Sequence, residues 1–175
     1  RLGAPIAVSR EDDLLLDTGG ALKKASALLR GREPFFVHNA DVLSELDLKA
    51  MLAAHRESGA LATLAVRERE ANRAFLFDPK GRFAGHDDRS VERVSWAKGA
   101  VTGAARLAFD GVHVLSPALL DRITESGVFS IIKTYLRLAA EGADIRAFRS
   151  DPWAWHDLGD PDKLAAAEAW LKSKS

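Results

Sequence analysis

Two carboxylates, Asp41 and Asp157, each follow an apolar run, and together they could hold one divalent cation. The first run is Pro34-Phe35-Phe36-Val37-His38-Asn39-Ala40-Asp41. The second is Trp153-Ala154-Trp155-His156-Asp157-Leu158-Gly159-Asp160-Pro161. An apolar segment that breaks into Asn-Ala-Asp reads as a buried parallel strand whose carboxyl end opens into a site. Mg²⁺ takes hard oxygen donors and needs only one or two protein carboxylates, with water and phosphate completing its shell. Small Ala40 leaves room beside Asp41. As a lone residue Asp41 serves equally well as a cap for the next segment. Asp157 has no such structural task, because Asp160-Pro161 already makes a helix entry.

Two glycine-bearing segments add to this pair. Asp17-Thr18-Gly19-Gly20-Ala21-Leu22 puts two glycines at a helix start. There a ligand can approach the backbone, and unpaired amides favour electronegative groups. A plain capped helix with a Gly-Gly turn accounts for the same residues and is the simpler reading. Phe109-Asp110-Gly111-Val112-His113-Val114 has a glycine inside a strand. It marks either close approach of a ligand or another backbone, or a β-bulge. His38, His55, His86, His113 and His156 show no zinc spacing, and His38 and His113 read as core or supporting residues. The chain has no Gly-x-Ser-x-Gly elbow, no Walker loop and no Gly-x-Gly-x-x-Gly fingerprint.

The elements that must position these residues alternate between strand-like and helix-like, which predicts an α/β domain. Helices are expected over 19–30, with Thr18 as cap, over 47–57, from Pro117 to near Gly127, over 131–141, and from Asp160-Pro161 with Leu164, Ala167 and Leu171 inward. Strands are expected at 35–38, 61–66, 108–115, 145–148 and 153–158. Residues 75–83 read as a hairpin around Asp-Pro-Lys-Gly. Residues 85–103 read as a loop with one short strand at 91–96, and Ile6-Ala7-Val8 as a short β-like run. The tail from Lys172 to Ser175 is expected to fray.

The 175 residues allow one domain with a sizeable core, and 47% apolar with 29% charged residues is ordinary for a globular protein. A formal net charge of zero gives no reason to expect nucleic acid or an anionic membrane as partner. The absence of cysteine excludes disulfides, thiolate metal sites and a cysteine nucleophile. No apolar run is long enough to span a bilayer. No signal peptide is visible, so a cytoplasmic location is expected.

Four segments occurring in order carry a resemblance. They are Leu16-Asp17-Thr18-Gly19-Gly20-Ala21-Leu22-Lys23-Lys24-Ala25, Val37-His38-Asn39-Ala40-Asp41-Val42-Leu43, Phe109 to Val114, and Trp155-His156-Asp157-Leu158-Gly159. Together with Phe129-Ser130-Ile131-Ile132 before a helix, they resemble the sugar-1-phosphate nucleotidylyltransferases. The small bacterial uridylyltransferase- and guanylyltransferase-like members are the nearest in look. The resemblance covers most of the chain and is weakest between Gly85 and Gly103.

It implies a Rossmann-like, three-layer fold with a central mixed, mostly parallel sheet. It implies transfer of a nucleoside monophosphate from an NTP, UTP or GTP, to a sugar 1-phosphate, with release of pyrophosphate. By the same resemblance Asp41 and Asp157 are the Mg²⁺ ligands. Thr18, Gly19 and Gly20 line the nucleoside, and Asn39 and Gly111 lie near the sugar phosphate.

Departures from the pattern are informative. The family's Gly-rich triphosphate loop and its Pro-Lys-Pro segment would precede residue 1, so roughly a third of a small-family domain is expected upstream. These residues alone are then expected to be inactive and to self-associate or hold the missing piece, because a sheet edge would be uncovered. Ala40 stands where Gly is common, Asp160 where Thr is common, and Lys133 where an acidic residue is frequent. The competing class is a regulatory module of the same fold that senses nucleotide sugars without turnover. Loss of a metal carboxylate marks such relatives, and both carboxylates are present here.

Overall fold

The computed structural model describes residues 5–174. Expectations that touch Leu2 to Ala4 and Ser175 lie outside the described residues. The run Ile6-Ala7-Val8 forms no strand, and Ile6 and Val8 are exposed.

One long strand organises the sheet. β7 (Ala105–Leu115) pairs antiparallel with three neighbours. They are β4 (Arg73–Phe77) along residues 105–107, β3 (Ala62–Arg67) along residues 108–115, and β1 (Phe35–His38) along residues 112–115. β5 (Phe83–Asp88) and β6 (Arg93–Trp96) extend the β4 side. β8 (Ile145–Arg149) lies parallel to β3 on the other side.

The expectation of a mostly parallel sheet is therefore corrected. Among the described residues β3–β8 is the parallel pair of this sheet, and its other pairs are antiparallel. The physical reason is that an apolar run signals burial, not direction. Ala62 to Val66 are all buried, as a strand covered on both faces should be, yet this strand has one neighbour of each sense.

Helices cover both faces, which makes the three expected layers. α3 (Leu48–Ser58) lies on one face, where Met51, Ala65, Val112 and Val114 pack together with Leu46. α1 (Asp17–Lys24), α4 (Ala118–Asp121) and α5 (Ile131–Ala140) supply Leu22, Leu119, Tyr135 and Leu138 to the larger core on the other. Each fully buried large apolar side chain contributes about 1.5–3 kcal/mol.

Local signals explain most of the helix ends. Asp47 caps α3 by accepting from the Ala50 amide at 2.9 Å, and Gly59 ends it at φ +64. Ser130 accepts from Ile132 N at 3.4 Å. α6 (Pro161–Lys172) begins with Asp160 accepting from Lys163 N at 3.0 Å, so Asp160 is the cap and Asp157 is free of that task. Ala167 of α6 is buried, while Leu164 and Leu171 stay exposed. α6 packs instead through Trp170, whose ring lies 4.5 Å from that of His156.

The remaining differences lie in short elements. The first helix breaks at Ala25, and α2 (Ser26–Leu29) follows as a separate turn. Leu16, not Thr18, is its cap residue. The polar 85–103 segment contains most of β5 and all of β6. A small second sheet was not expected: β2 (Val42–Ser44) pairs antiparallel with β9 (Trp155–Asp157). Among the described residues no helix is long and apolar enough to cross a membrane.

Candidate active site

The β2–β9 ribbon brings the two carboxylates together. Val42 is paired with Asp157, and the Asp41 carbonyl accepts from Leu158 N at 2.8 Å. A Cβ placed on Gly159 would lie 3.0 Å from Asp157 Oδ1 and 3.8 Å from Asp41 Oδ2. Both acids thus border one small space, and the two oxygens can be no further apart than the sum of these distances. Gly159 keeps that space open.

Asp157 is already engaged. Its Oδ1 accepts from Gly159 N at 2.8 Å, and its Oδ2 lies 2.9 Å from Lys163 Nζ. Lys163 also reaches Asp160, at 2.8 Å. The ammonium of Lys163 and then the Gly159 amide hold the Asp157 carboxyl below the usual carboxylate range. The pair is half-exposed, so this ammonium can be displaced by another cation.

The donor set fits Mg²⁺. It consists of two hard carboxylates on a rigid ribbon, one of them already holding a cationic group, next to open space. Among the described residues no cluster of three or more His, Asp or Glu side chains could hold a metal ion. Any metal here therefore depends on oxygens from a ligand or from water.

A cavity of about 540 Å³ reaches Asn39, just past the end of β1. Thr18 and Asn39 line it, with Phe75, His86, Phe109 and Lys133. Asn39 is two residues from Asp41, so the cavity and the carboxylates are joined by one turn. Burial pushes the His86 pKa down, so it presents a neutral ring. His113 is buried at the cavity wall, with Nδ1 2.6 Å from the Tyr135 hydroxyl, and burial pushes its pKa down to about 3. His38 is exposed.

Gly111 supports Asn39. At φ +79, its carbonyl accepts from Asn39 N at 2.8 Å. A Cβ there would come within 2.9 Å of Val42 and 3.1 Å of Asn39. The register of β3 against β7 shifts between Leu64 and Val66, beside this glycine. Of the two sequence readings the bulge is the one seen here; the close neighbours of Gly111 are the side chains of Val42 and Asn39, not another backbone.

Gly19 and Gly20 differ from expectation in their physics. Both are buried, and both amides donate to the Phe129 carbonyl, at 2.9 and 3.2 Å. A Cβ on Gly19 would run into the Phe129 ring, and one on Gly20 would meet the Gly127 carbonyl oxygen at 2.7 Å. These glycines let α1 seat on the 127–131 segment; they do not present free amides. Thr18 Oγ1 accepts from Ile131 N at 3.1 Å in the same contact.

The expected residues thus fall into three places. Asp41 and Asp157 meet on the ribbon, Thr18 and Asn39 line the cavity with Gly111 beneath Asn39, and Gly19 and Gly20 lie behind the wall. Sequence reasoning missed Arg69 and Arg73, which border the adjoining hollow of about 470 Å³. The alternation Arg67-x-Arg69 past a buried strand was the available signal.

The chain belongs to the nucleotidyl transferase family, whose model matches residues 3–174. It is 30% identical over 174 residues to a probable mannose-1-phosphate guanylyltransferase 2 from Arabidopsis thaliana, covering 98% of this chain and 46% of that protein. It is 29% identical to the mannose-1-phosphate guanylyltransferase catalytic subunit beta of Dictyostelium discoideum, covering 99% and 46%. The chain therefore spans about half the length of these relatives. Among solved structures, UTP-bound UGPase from Acinetobacter baumannii superposes with a TM-score of 0.70 at 16% identity, covering 91% of this chain and 57% of that one. HddC from Yersinia pseudotuberculosis complexed with GMP-PN gives 0.66 at 19% identity, covering 89% and 63%. These structures share the fold.

Proposed function

We propose that this chain carries the metal and acceptor side of a Mg²⁺-dependent sugar-1-phosphate nucleotidylyltransferase. The reaction joins a sugar 1-phosphate to the nucleoside monophosphate of GTP or UTP and releases pyrophosphate. The observation that carries this reading is the convergence of Asp41 and Asp157 around Gly159. The names of the curated relatives favour GTP and mannose 1-phosphate.

In this reaction a phosphate oxygen of the acceptor attacks the α-phosphorus in line. The bond from that phosphorus to the bridging oxygen breaks, and pyrophosphate leaves. No protein nucleophile is needed, so catalysis comes from positioning and from offsetting negative charge. Mg²⁺ held by Asp41 and Asp157 would supply charge neutralisation and a template for the phosphates. Asn39 and Thr18 orient the ligand from the cavity wall. Gly111 fixes Asn39, and Gly19 and Gly20 fix Thr18 by letting α1 seat closely. The sensor reading is less favoured, because both metal carboxylates are present.

The test is Mn²⁺ binding, followed by electron paramagnetic resonance, to the chain and to its Asp41→Asn and Asp157→Asn variants. Each substitution should weaken Mn²⁺ about tenfold or more, since it removes one charged ligand. Unchanged Mn²⁺ affinity in both variants would refute the assignment. In an assay with Mg²⁺, GTP and mannose 1-phosphate, the same variants should lose turnover.

A further inference from the structure

Arg67 and Arg69 stand two residues apart and differ sharply in what they bond. The Arg67 guanidinium is fully occupied: Nε faces Asp110 at 2.8 Å, and Nη1 and Nη2 donate to the carbonyls of Trp153 and Ser150. Arg69 is exposed and gives one N–H, from Nη2, to the Phe109 carbonyl at 3.1 Å. Its guanidinium carbon sits 4.3 Å from the centroid of the Trp155 ring. That ring is itself fixed, because Trp155 Nε1 donates to the Asp110 carbonyl at 2.9 Å.

The placement of Trp155 matters. It precedes Asp157 by two residues on β9, so the two side chains leave the same face of the strand. An arginine stacked on Trp155 is thereby held alongside the Asp157 carboxylate. Loss of hydration lowers the Arg69 pKa, while the carboxylates of Asp110 and Asp157 oppose that shift across space. On its other side, Arg69 borders the 470 Å³ hollow, which shares Phe75, His86 and Phe109 with the larger cavity. Arg73 is paired with Asp88 at 3.0 Å, and Lys163 with Asp157 and Asp160.

We infer that Arg69, stacked on Trp155, binds the phosphate of the acceptor sugar 1-phosphate and holds it toward Asp41 and Asp157. This rests on the proposed function for the identity of the ligand. Arg69 borders the hollow that adjoins this cavity, so a sugar seated there can present its phosphate to the guanidinium. A planar guanidinium held flat by an aromatic face presents its remaining N–H groups as a fork, which suits phosphate.

The experiment titrates inorganic phosphate and α-mannose 1-phosphate into the 175-residue chain without metal, read by tryptophan fluorescence and by ³¹P line width. The unsubstituted chain should bind both saturably. Arg69→Met should weaken both by about tenfold or more, the loss of one charge-assisted contact. Arg69→Lys should keep the near-ultraviolet circular dichroism and the urea midpoint yet recover only part of the affinity, because an ammonium lacks the fork. Equal affinity in Arg69→Met and the unsubstituted chain, or no saturable binding by the unsubstituted chain, would overturn the inference. Mn²⁺ binding on the same samples separates the two ideas. Phosphate binding lost in Arg69→Met with Mn²⁺ affinity unaffected by both Asp41→Asn and Asp157→Asn would sink the metal assignment and leave the Arg69 site standing.

Discussion

Asp110 and Asp157 are both paired with a basic residue at nearly the same distance, 2.8 Å to Arg67 and 2.9 Å to Lys163. Their surroundings set them apart. The Asp110 side chain is 2% exposed and that of Asp157 36%. Asp110 also has the Ser150 hydroxyl at 2.5 Å, and its partner Arg67 is bonded to two carbonyls. That network fastens β3, β7 and the segment before β9 together. Asp157 holds a flexible ammonium at the surface. A buried pair resists exchange because either partner alone would be a desolvated charge. An exposed pair costs little to open. The comparison separates an acid that builds the site's frame from one that can accept a ligand's cation.

The largest effect that would break this contrast is on stability. Asp110→Ala leaves Arg67 half-buried and unpaired, and should cost about 3–5 kcal/mol. Asp157→Ala should cost less than about 1 kcal/mol. Urea denaturation of both variants measures the difference, and similar midpoints would abolish the distinction.

A second consequence of burial is pH dependence. His113 has its pKa pushed from 6.5 to about 3, so between those values the unfolded chain binds the proton and the folded chain does not. Stability should therefore be complete above pH 6.5 and fall as the pH drops toward about 3. The slope approaches roughly 1.4 kcal/mol per pH unit, or a few kcal/mol in all. His113→Gln should flatten the upper part of that fall, from pH 6.5 to about 5, where the carboxylates contribute least. An unchanged slope would show that His113 is not the group responsible.

Gly111→Ala tests the frame from the backbone. The new methyl group meets Val42 and Asn39 at a positive φ, so a loss of about 2 kcal/mol is expected. The Asn39 amide, which donates to Gly111 O, should then lose protection in hydrogen exchange.

The smallest stability effect belongs to Lys163→Gln, because solvent screens the surface pair that it removes. Its interest lies in binding. With the competing ammonium gone, Mn²⁺ affinity should rise severalfold, as the Coulomb interaction at a half-exposed site suggests. A fall in Mn²⁺ affinity would mean that Lys163 assists the cation's site and does not compete for it.

How much of this was legible in the chain depends on the range of each interaction. Ser130 before Ile131 and Asp160-Pro161 announced their helices, because caps and helix starts involve neighbours a few residues apart. Asp41 and Asp157 stood out as acids following apolar runs. The pairing that unites them was hidden, since β2 is three residues long and carries no periodicity of its own. Gly19-Gly20 invited a ligand-binding interpretation. Their actual neighbour, Phe129, lies more than a hundred positions along the chain.

By itself the sequence determined the α/β alternation, the capped helices, the candidate acids and the family likeness, because propensity, capping and burial are written in local residue types. Tertiary structure alone decided strand direction, the β2–β9 ribbon and the different fates of Arg67 and Arg69. Those outcomes depend on which distant backbone groups pair and which charges lose their water, and no local pattern encodes either.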